Sequence, residues 1–535
     1  MFSKPSKKQL VVGLLFLIAL FTRFYRLDWA DGFFTHPDEN NMATAITELS
    51  FNNLNPHFFA YGQFPLYLVF FTQQILRLSG FASAVLLLRF YSAFFSSLSL
   101  LVFYQISKIL FSSPLTRLTF LALLIFSPGL IQMAHFGTTE SILFFVFSSS
   151  FLLSAKILTN QHPKRYLLLS SLVCGLGLAS KITALVFCLP IFLAFFMRYI
   201  QSGQIKKLFF SSFAFSLFTL IIFIALSPYN LFAWSDFLST INYEISVANG
   251  SSPVFYTRQF IDTLPYWFQL TKILPYTSGL SVFIISLLSL AFLPLYFFST
   301  KNSPKNTLKY PLFFIILLSS LVYFFYIGVQ FVKWIRFFSP LFFLPPLLST
   351  IILSKIKNRS FYFLLISLCL LPGLVFFSRY FFPDPRLFAS SWIDQNLPAD
   401  SFIFSEAGNI LNLPLNTKNP YQVENFDFYT LDSQPQALSD LIYKLSQSQY
   451  LLIPSRRIFK SQNSPSFPIS HRYYQALFSG QLGFSPLKKF FYPGSLVLDP
   501  EQAEETWTVF DNPTIRLYQK TTPLSVSDYR QILSP

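Results

Sequence analysis

Carboxylates are the residues of this 535-residue chain whose type and placement best suit chemistry, and they are few. Residues 1–377 hold only nine: Asp28, Asp31, Asp38, Glu39, Glu48, Glu140, Asp236, Glu244 and Asp262. Asp38 and Glu39 are adjacent, follow Thr35-His36-Pro37, and precede Asn40 and an apolar-periodic run through Ala43, Ile46 and Leu49. That pattern reads as the start of an amphipathic helix. The pair is then either an N-cap with a first-turn partner of the helix dipole, or two carboxylates that a site requires. Four cations are candidates to oppose them: Arg89, Lys181, Lys333 and Arg336. Arg258 and Lys272 are weaker choices, and His135 reads as a satisfied polar group. Snorkelling or interfacial anchoring accounts equally well for Lys181, Lys333 and Arg336, and a helix-opening role for Glu140. The sequence has no Walker glycine loop, dinucleotide fingerprint, zinc-type His/Cys spacing or nucleophile elbow.

The elements that must position these residues are membrane helices. The chain is 53% hydrophobic and 12% charged, with mean hydropathy +0.49. Apolar runs of a length that crosses about 30 Å of hydrocarbon recur through the first 377 positions. The net charge of +16 lies in that part, which alone carries +17, so it concerns orientation in a bilayer and is no sign of nucleic acid. Basic clusters at Lys4–Lys8, Lys108–Arg117, Lys156–Arg165, Arg198–Lys207, Lys301–Lys309 and Lys355–Arg359 mark cytoplasmic loops. Between them, spans are expected at about 10–27, 86–107, 118–134, 141–158, 166–180, 183–198, 208–227, 281–299, 311–328, 337–354 and 361–377. This makes about eleven transmembrane helices with the N-terminus inside, and no cleavage site follows the first apolar run. Phe64–Leu78 is short for a span and is expected to lie at the interface or re-enter. Long loops at about 28–85 and 228–280 then lie outside, together with all nine acids. Cys174, Cys188 and Cys369 sit inside apolar runs as small hydrophobes. Residues 379–535 have ordinary charge and short β-like runs such as Ser401–Ser405 and Tyr450–Pro454. Helical stretches such as Leu387–Asn396 and Gln436–Ser446 lie between those runs, which predicts a small extracytoplasmic α/β domain.

An acidic pair just after the first span resembles the GT-C membrane glycosyltransferases, in particular the protein-O-mannosyltransferase and aminoarabinose transferase type, glycosyltransferase family 39 and its relatives. Further segments carry the resemblance: Asn55-Pro56-His57-Phe58, Tyr61-Gly62-Gln63-Phe64-Pro65-Leu66-Tyr67, Leu88-Arg89-Phe90-Tyr91-Ser92-Ala93 and Thr138-Thr139-Glu140. So do Gly175-Leu176-Gly177-Leu178-Ala179-Ser180-Lys181-Ile182-Thr183 and Lys333-Trp334-Ile335-Arg336-Phe337-Phe338-Ser339-Pro340. The motifs are spread over about 30–340. The resemblance implies a GT-C-like fold and an inverting transfer of sugar from a polyprenyl phosphate to an acceptor hydroxyl on a protein, lipid or glycan. Asp38 would be the general base, Glu39 would shape the site, and Glu140 would be a second carboxylate positioning donor or acceptor. Arg89, as first choice, with Lys181, Lys333 and Arg336, would meet the phosphate, and Tyr61 and Gln63 would belong to the donor site.

This sequence departs from the type at Gln63, where the aminoarabinose transferases carry a lysine, and at Glu140, where an Asp is usual. The first departure argues against a lipid A substrate. No resident cofactor or metal is expected, although a divalent ion stays open, and the inner or plasma membrane is the expected location. Two other readings stand beside the enzyme: a transporter or flippase for a lipid-linked substrate, and a GT-C scaffold without catalysis. A transporter would place ionisable groups near the bilayer midplane, whereas these collect at one surface.

Overall fold

The computed structural model describes residues 6–159, 163–298, 308–407, 413, 419–462, 465–492 and 494–534. Parts of the basic clusters at Lys4–Lys8, Lys156–Arg165 and Lys301–Lys309 lie outside the described residues. The chain divides into two compact units. The first comprises Met1–Leu27, Asp38–Ile245 and Pro265–Phe377, and the second Asp28–Pro37, Ser246–Leu264 and Ser378–Pro535. The second unit thus takes in two pieces of the long loops besides the C-terminal region.

The first unit is helical. Its elements are α1 (Lys7–Phe24), α2 (Pro37–Thr47), α3 (Phe64–Leu76), α4 (Phe81–Leu110), α5 (Pro114–Ile125), α6 (Pro128–His135), α7 (Glu140–Thr159) and α8 (Pro163–Leu178). A 3-10 turn at Ile182–Cys188 runs into α9 (Leu189–Ile200), followed by α10 (Ile205–Leu226), α11 (Tyr229–Phe232) and α12 (Trp234–Asn249). Then come α13 (Leu274–Ser278), α14 (Leu280–Phe298), α15 (Lys309–Gly328), α16 (Ile335–Phe338), α17 (Leu344–Leu353) and α18 (Arg359–Ser378). Helix occupies each of the eleven expected positions. Six described helices are long and apolar enough to cross a membrane, and up to nine spans result if each of three bent pairs is one span. Eleven spans are thus not confirmed among the described residues. Lys7, Lys8 and Arg23 lower the apolarity of α1, and α8 has only 16 residues. α3, with 13 residues, is too short to cross, in line with the expectation for Phe64–Leu78.

Backbone chemistry sets the bends. The Ser127-Pro128 step breaks α5 from α6 at 51°, and Gly279 (φ +83°) allows a 117° turn into α14. A Cβ at Gly279 would lie 2.8 Å from Pro372 on α18. In hydrocarbon the carbonyls freed by a break need donors, and Arg23 supplies them at the first one. This fully buried side chain on α1 donates to the carbonyls of Leu124 (3.1 Å) and Ile125 (2.9 Å) and to Ser96 Oγ (3.2 Å). Arg23→Leu should therefore lower the thermal midpoint in detergent, since each buried group left unpaired costs about 1–3 kcal/mol. An unchanged midpoint would mean that the break is satisfied without Arg23.

The second unit contains a five-stranded mixed sheet in the order β2-β1-β3-β5-β4. Its strands are β1 (Phe402–Ala407), β2 (Gln422–Asp427), β3 (Tyr450–Ile453), β4 (Phe484–Phe490) and β5 (Ile515–Lys520). β1 pairs in parallel with β2 and β3, and β5 pairs antiparallel with β3 and β4. Helices α19 (Pro385–Asn396), α20 (Pro435–Gln447), α21 (Arg457–Gln462), α22 (Pro468–Phe478) and α23 (Val526–Leu533) complete it. All four β and helical segments expected from the sequence are present. One buried cluster includes Phe404, Leu451, Ile453, Leu441, Tyr474 and Leu477 from β1, β3, α20 and α22, and a second joins Ile393 of α19 to Ile403, Leu452 and Leu517.

Candidate active site

Three connecting segments of the first unit are laced together by backbone. Gly62 N–H donates to the Ser180 carbonyl (2.9 Å) and Phe64 N–H to that of Ala179 (3.0 Å). Ser227 Oγ donates to the same Ala179 carbonyl (3.1 Å) and accepts from Gln63 N–H (2.9 Å). A Cβ on Gly62 would fall 2.0 Å from Ala179 O, so only glycine permits this approach. Gln63, expected among the donor-binding residues, is fully buried within the lacing. Its amide accepts from Tyr229 N–H (3.0 Å) and Tyr67 Oη (3.2 Å) and donates to Asn230 Oδ1 (3.1 Å). Gly62→Ala should cost about 1–3 kcal/mol and lower the thermal midpoint. Gly13→Ala, where nothing lies within 4 Å, is the control; equal midpoints for the two would contradict the close approach.

The lacing sets Tyr61 beside Lys181. The Lys181 ammonium lies 5.0 Å from the ring centroids of both Tyr61 and Phe337, and 3.5 Å from Glu140 Oε1. Glu140 opens α7 and is 1% exposed. Its Oε2 and the neighbouring Thr139 Oγ1 make no hydrogen bond among the described residues. Glu244 of α12 interacts electrostatically with both Lys181 and Tyr61. Burial, and then the charges of Glu140 and Glu244, push the Tyr61 hydroxyl well above its ordinary pKa, so it remains a neutral donor.

Asp38 and Glu39 enter opposite environments although they are neighbours in the first turn of α2. Glu39 is completely buried and accepts from Arg89 Nε (3.1 Å to each oxygen) and Nη2 (2.7 Å), and from Gly137 N–H (2.6 Å). Arg89, equally buried, also donates to the Leu27 carbonyl (2.8 Å). The sequence expectation for Arg89 as first-choice phosphate cation therefore needs correction: its guanidinium is the buried counter-ion of Glu39, whose carboxylate also accepts from Gly137 N–H in the segment before α7. Asp38 instead pairs with Arg336, and both side chains stay partly open at 16% and 18% exposure. The Arg336 guanidinium sits over the Trp334 ring at 4.5 Å.

Lys333 is buried and donates to the Phe331 carbonyl (2.8 Å). Burial pulls its ammonium down to about 8. The unfolded chain, with Lys near its ordinary value of about 10.4, binds more protons between those limits, so stability should rise with pH from about 8 upward. The midpoint difference between wild type and Lys333→Met should shift in the wild type's favour across that window; a pH-independent difference would contradict it. His135 has both ring nitrogens near carbonyl oxygens, of Ile131 (2.8 Å) and Tyr25 (2.9 Å). Arg258 belongs to the second unit, where it donates to Tyr429 O (3.2 Å), and Lys272 lies on a π-turn at Gln269–Ile273. No three His, Cys, Asp or Glu side chains among the described residues are grouped to hold a metal.

The site thus joins the ends of several membrane helices through two carboxylate–cation pairs, Asp38–Arg336 and Glu140–Lys181, next to the buried Glu39–Arg89 pair. Residues 64–232 match the family described as dolichyl-phosphate-mannose-protein mannosyltransferase. No curated protein matches the chain. Among solved structures, the oligosaccharyltransferase of Archaeoglobus fulgidus tethered to an acceptor peptide is similar at 14% identity, with TM-score 0.52 over 91% of this chain and 74% of that one. Its apo form gives 12% identity and TM-score 0.52 over 92% and 75%. ArnT from Cupriavidus metallidurans bound to undecaprenyl phosphate gives 12% identity and TM-score 0.43 over 95% and 97%. The fold is that of the GT-C membrane glycosyltransferases, and the matched segment resembles the mannosyltransferase type.

Proposed function

We propose that this chain is an inverting glycosyltransferase that moves a sugar from a polyprenyl phosphate to an acceptor hydroxyl at the outer face of the inner or plasma membrane. The observation that carries the reading is the partly open Asp38 carboxylate beside Arg336, with Glu140–Lys181 close by, in a GT-C fold. The description of the matched family, which names a dolichyl phosphate sugar, supports a polyprenyl-linked donor. Inversion needs one carboxylate to take the proton of the incoming hydroxyl, and Asp38 has the exposure to reach it. The departing phosphate needs preorganised positive charge, which the cation side of these pairs provides. In this reading residues 1–378 are the catalytic module, 379–535 an extracytoplasmic domain, and the N-terminus is cytoplasmic. The convergence of ionisable groups at helix ends favours an interfacial enzyme over a transporter.

Purified protein given a labelled polyprenyl-phosphate hexose and a hydroxyl acceptor should transfer label, and should ignore the corresponding nucleotide sugar. Transfer from the nucleotide sugar alone would overturn the donor class. A cysteine introduced near Asp38 should react with an impermeant thiol reagent added outside intact cells; labelling only after permeabilisation would reverse the orientation.

A further inference from the structure

Helix α20 presents two unlike faces. Ala437, Leu441, Ile442 and Leu445 are buried in the core of the second unit. Asp440, Tyr443, Lys444 and Gln447 recur at helical spacing along the other side. Gln422 and Glu424, two apart on the edge strand β2, lie opposite Phe402 and Phe404 of β1 and so share one sheet face. Where that stripe meets that strand, a cavity of about 270 Å³ opens, with Phe402 also in its lining. It lies wholly in the second unit and shares no residue with the candidate active site. Lys444 Nζ links its two sides, 3.0 Å from Asp440 Oδ2 and 3.7 Å from Glu424 Oε2. An ordinary surface ion network explains those three charges. It does not explain Tyr443, which is 63% exposed and meets no other ring or cation among the described residues.

We propose that this groove is a saccharide-binding site, in which Tyr443 forms the platform for one neutral hexopyranose ring. A pyranose offers an apolar C–H face and a rim of hydroxyls that each donate and accept. The open Tyr443 ring matches the face, and the polar lining matches the rim: Asp440 and Glu424 accept, Lys444 donates, and the Gln422 and Gln447 amides do both. The cavity falls just under the range of about 300–1,000 Å³ that holds drug-sized ligands. It therefore suits a single ring, with the rest of a glycan running out into solvent. Two carboxylates against one lysine select against phosphate and uronic acid. The site recognises carbohydrate and changes no bond, so it stands independently of the transfer reaction.

The test is saturation-transfer NMR on the full-length protein in an amine-oxide detergent, since a sugar-headed detergent would compete. The probes are the methyl glycosides of glucose, mannose and galactose, with open-chain sorbitol as control. At least one glycoside should receive saturation through its ring C–H protons, and sorbitol should not. Tyr443→Ala should weaken that glycoside by about tenfold, and Asp440→Ala should weaken it as well. Both side chains are exposed, so an unchanged thermal midpoint should show that each variant is folded. Asp38→Asn should bind the glycoside as wild type does. Saturation of none of the three, or saturation that Tyr443→Ala leaves unchanged, would overturn the proposal. Loss in Asp38→Asn with none in Tyr443→Ala would place the binding in the transfer site and overturn it too. A protein that binds the glycoside at Tyr443 but transfers no sugar would sink the transferase reading alone.

Discussion

Asp38→Asn is expected to lower kcat for sugar transfer by about 10²–10⁴-fold, the range over which a positioned general base acts. The substitution keeps the shape of the side chain and its place in the first turn of α2 but cannot take a proton at neutral pH. Because Asp38 is partly exposed, the thermal midpoint should move little, which separates lost chemistry from lost folding. Steady-state rates with labelled donor read kcat. A variant within a few-fold of wild type would remove Asp38 from the role of base.

Breaking the buried pair beneath it should be costlier to the fold. Glu39 and Arg89 are both fully buried, and the pair is completed by Gly137 N–H and the Leu27 carbonyl. Glu39→Ala leaves a guanidinium without its counter-ion in the interior, and Arg89→Leu leaves a carboxylate in the same state; each should cost about 3–5 kcal/mol. The pair Glu39→Leu with Arg89→Leu removes both charges and should be less destabilised than the sum of the single changes. Thermal midpoints and monodispersity in detergent provide the check. Additive losses would mean that the two groups do not depend on each other. The contrast within one dipeptide, Asp38 open and Glu39 sealed, is what divides chemistry from support here.

The helical scaffold was legible because hydrocarbon permits little choice: an apolar run must satisfy its own backbone, so its position in sequence is its position as helix. Two of the five C-terminal strands were legible for a related reason, since Phe402–Ala407 and Tyr450–Ile453 lie on short β-like runs bounded by turn residues. Partners were not legible. Arg89 meets Glu39 fifty residues away, and Arg23 meets carbonyls more than a hundred residues away, pairings that follow from packing of helices and leave no local pattern. Nothing in the sequence around Arg23 points to its acceptors at the α5–α6 break. Gln63 carried a resemblance to a ligand-binding position, but its amide is consumed by Tyr229, Asn230 and Tyr67. Glu244 stood among unassigned surface acids because nothing in the α12 sequence says which neighbour its side chain meets. Residue types announced a site, and only the three-dimensional pairing distinguished working groups from supporting ones.

The most direct test of the central claim is the anomeric configuration of the product. Protein reconstituted in liposomes receives a polyprenyl-phosphate hexose of defined anomeric linkage and an acceptor hydroxyl, and the new glycosidic bond is read by NMR. A single displacement with Asp38 as base and phosphate leaving predicts inversion: a β-linked donor gives an α-linked product, with transfer lost in Asp38→Asn. Retained configuration, or undiminished transfer by that variant, would contradict the account.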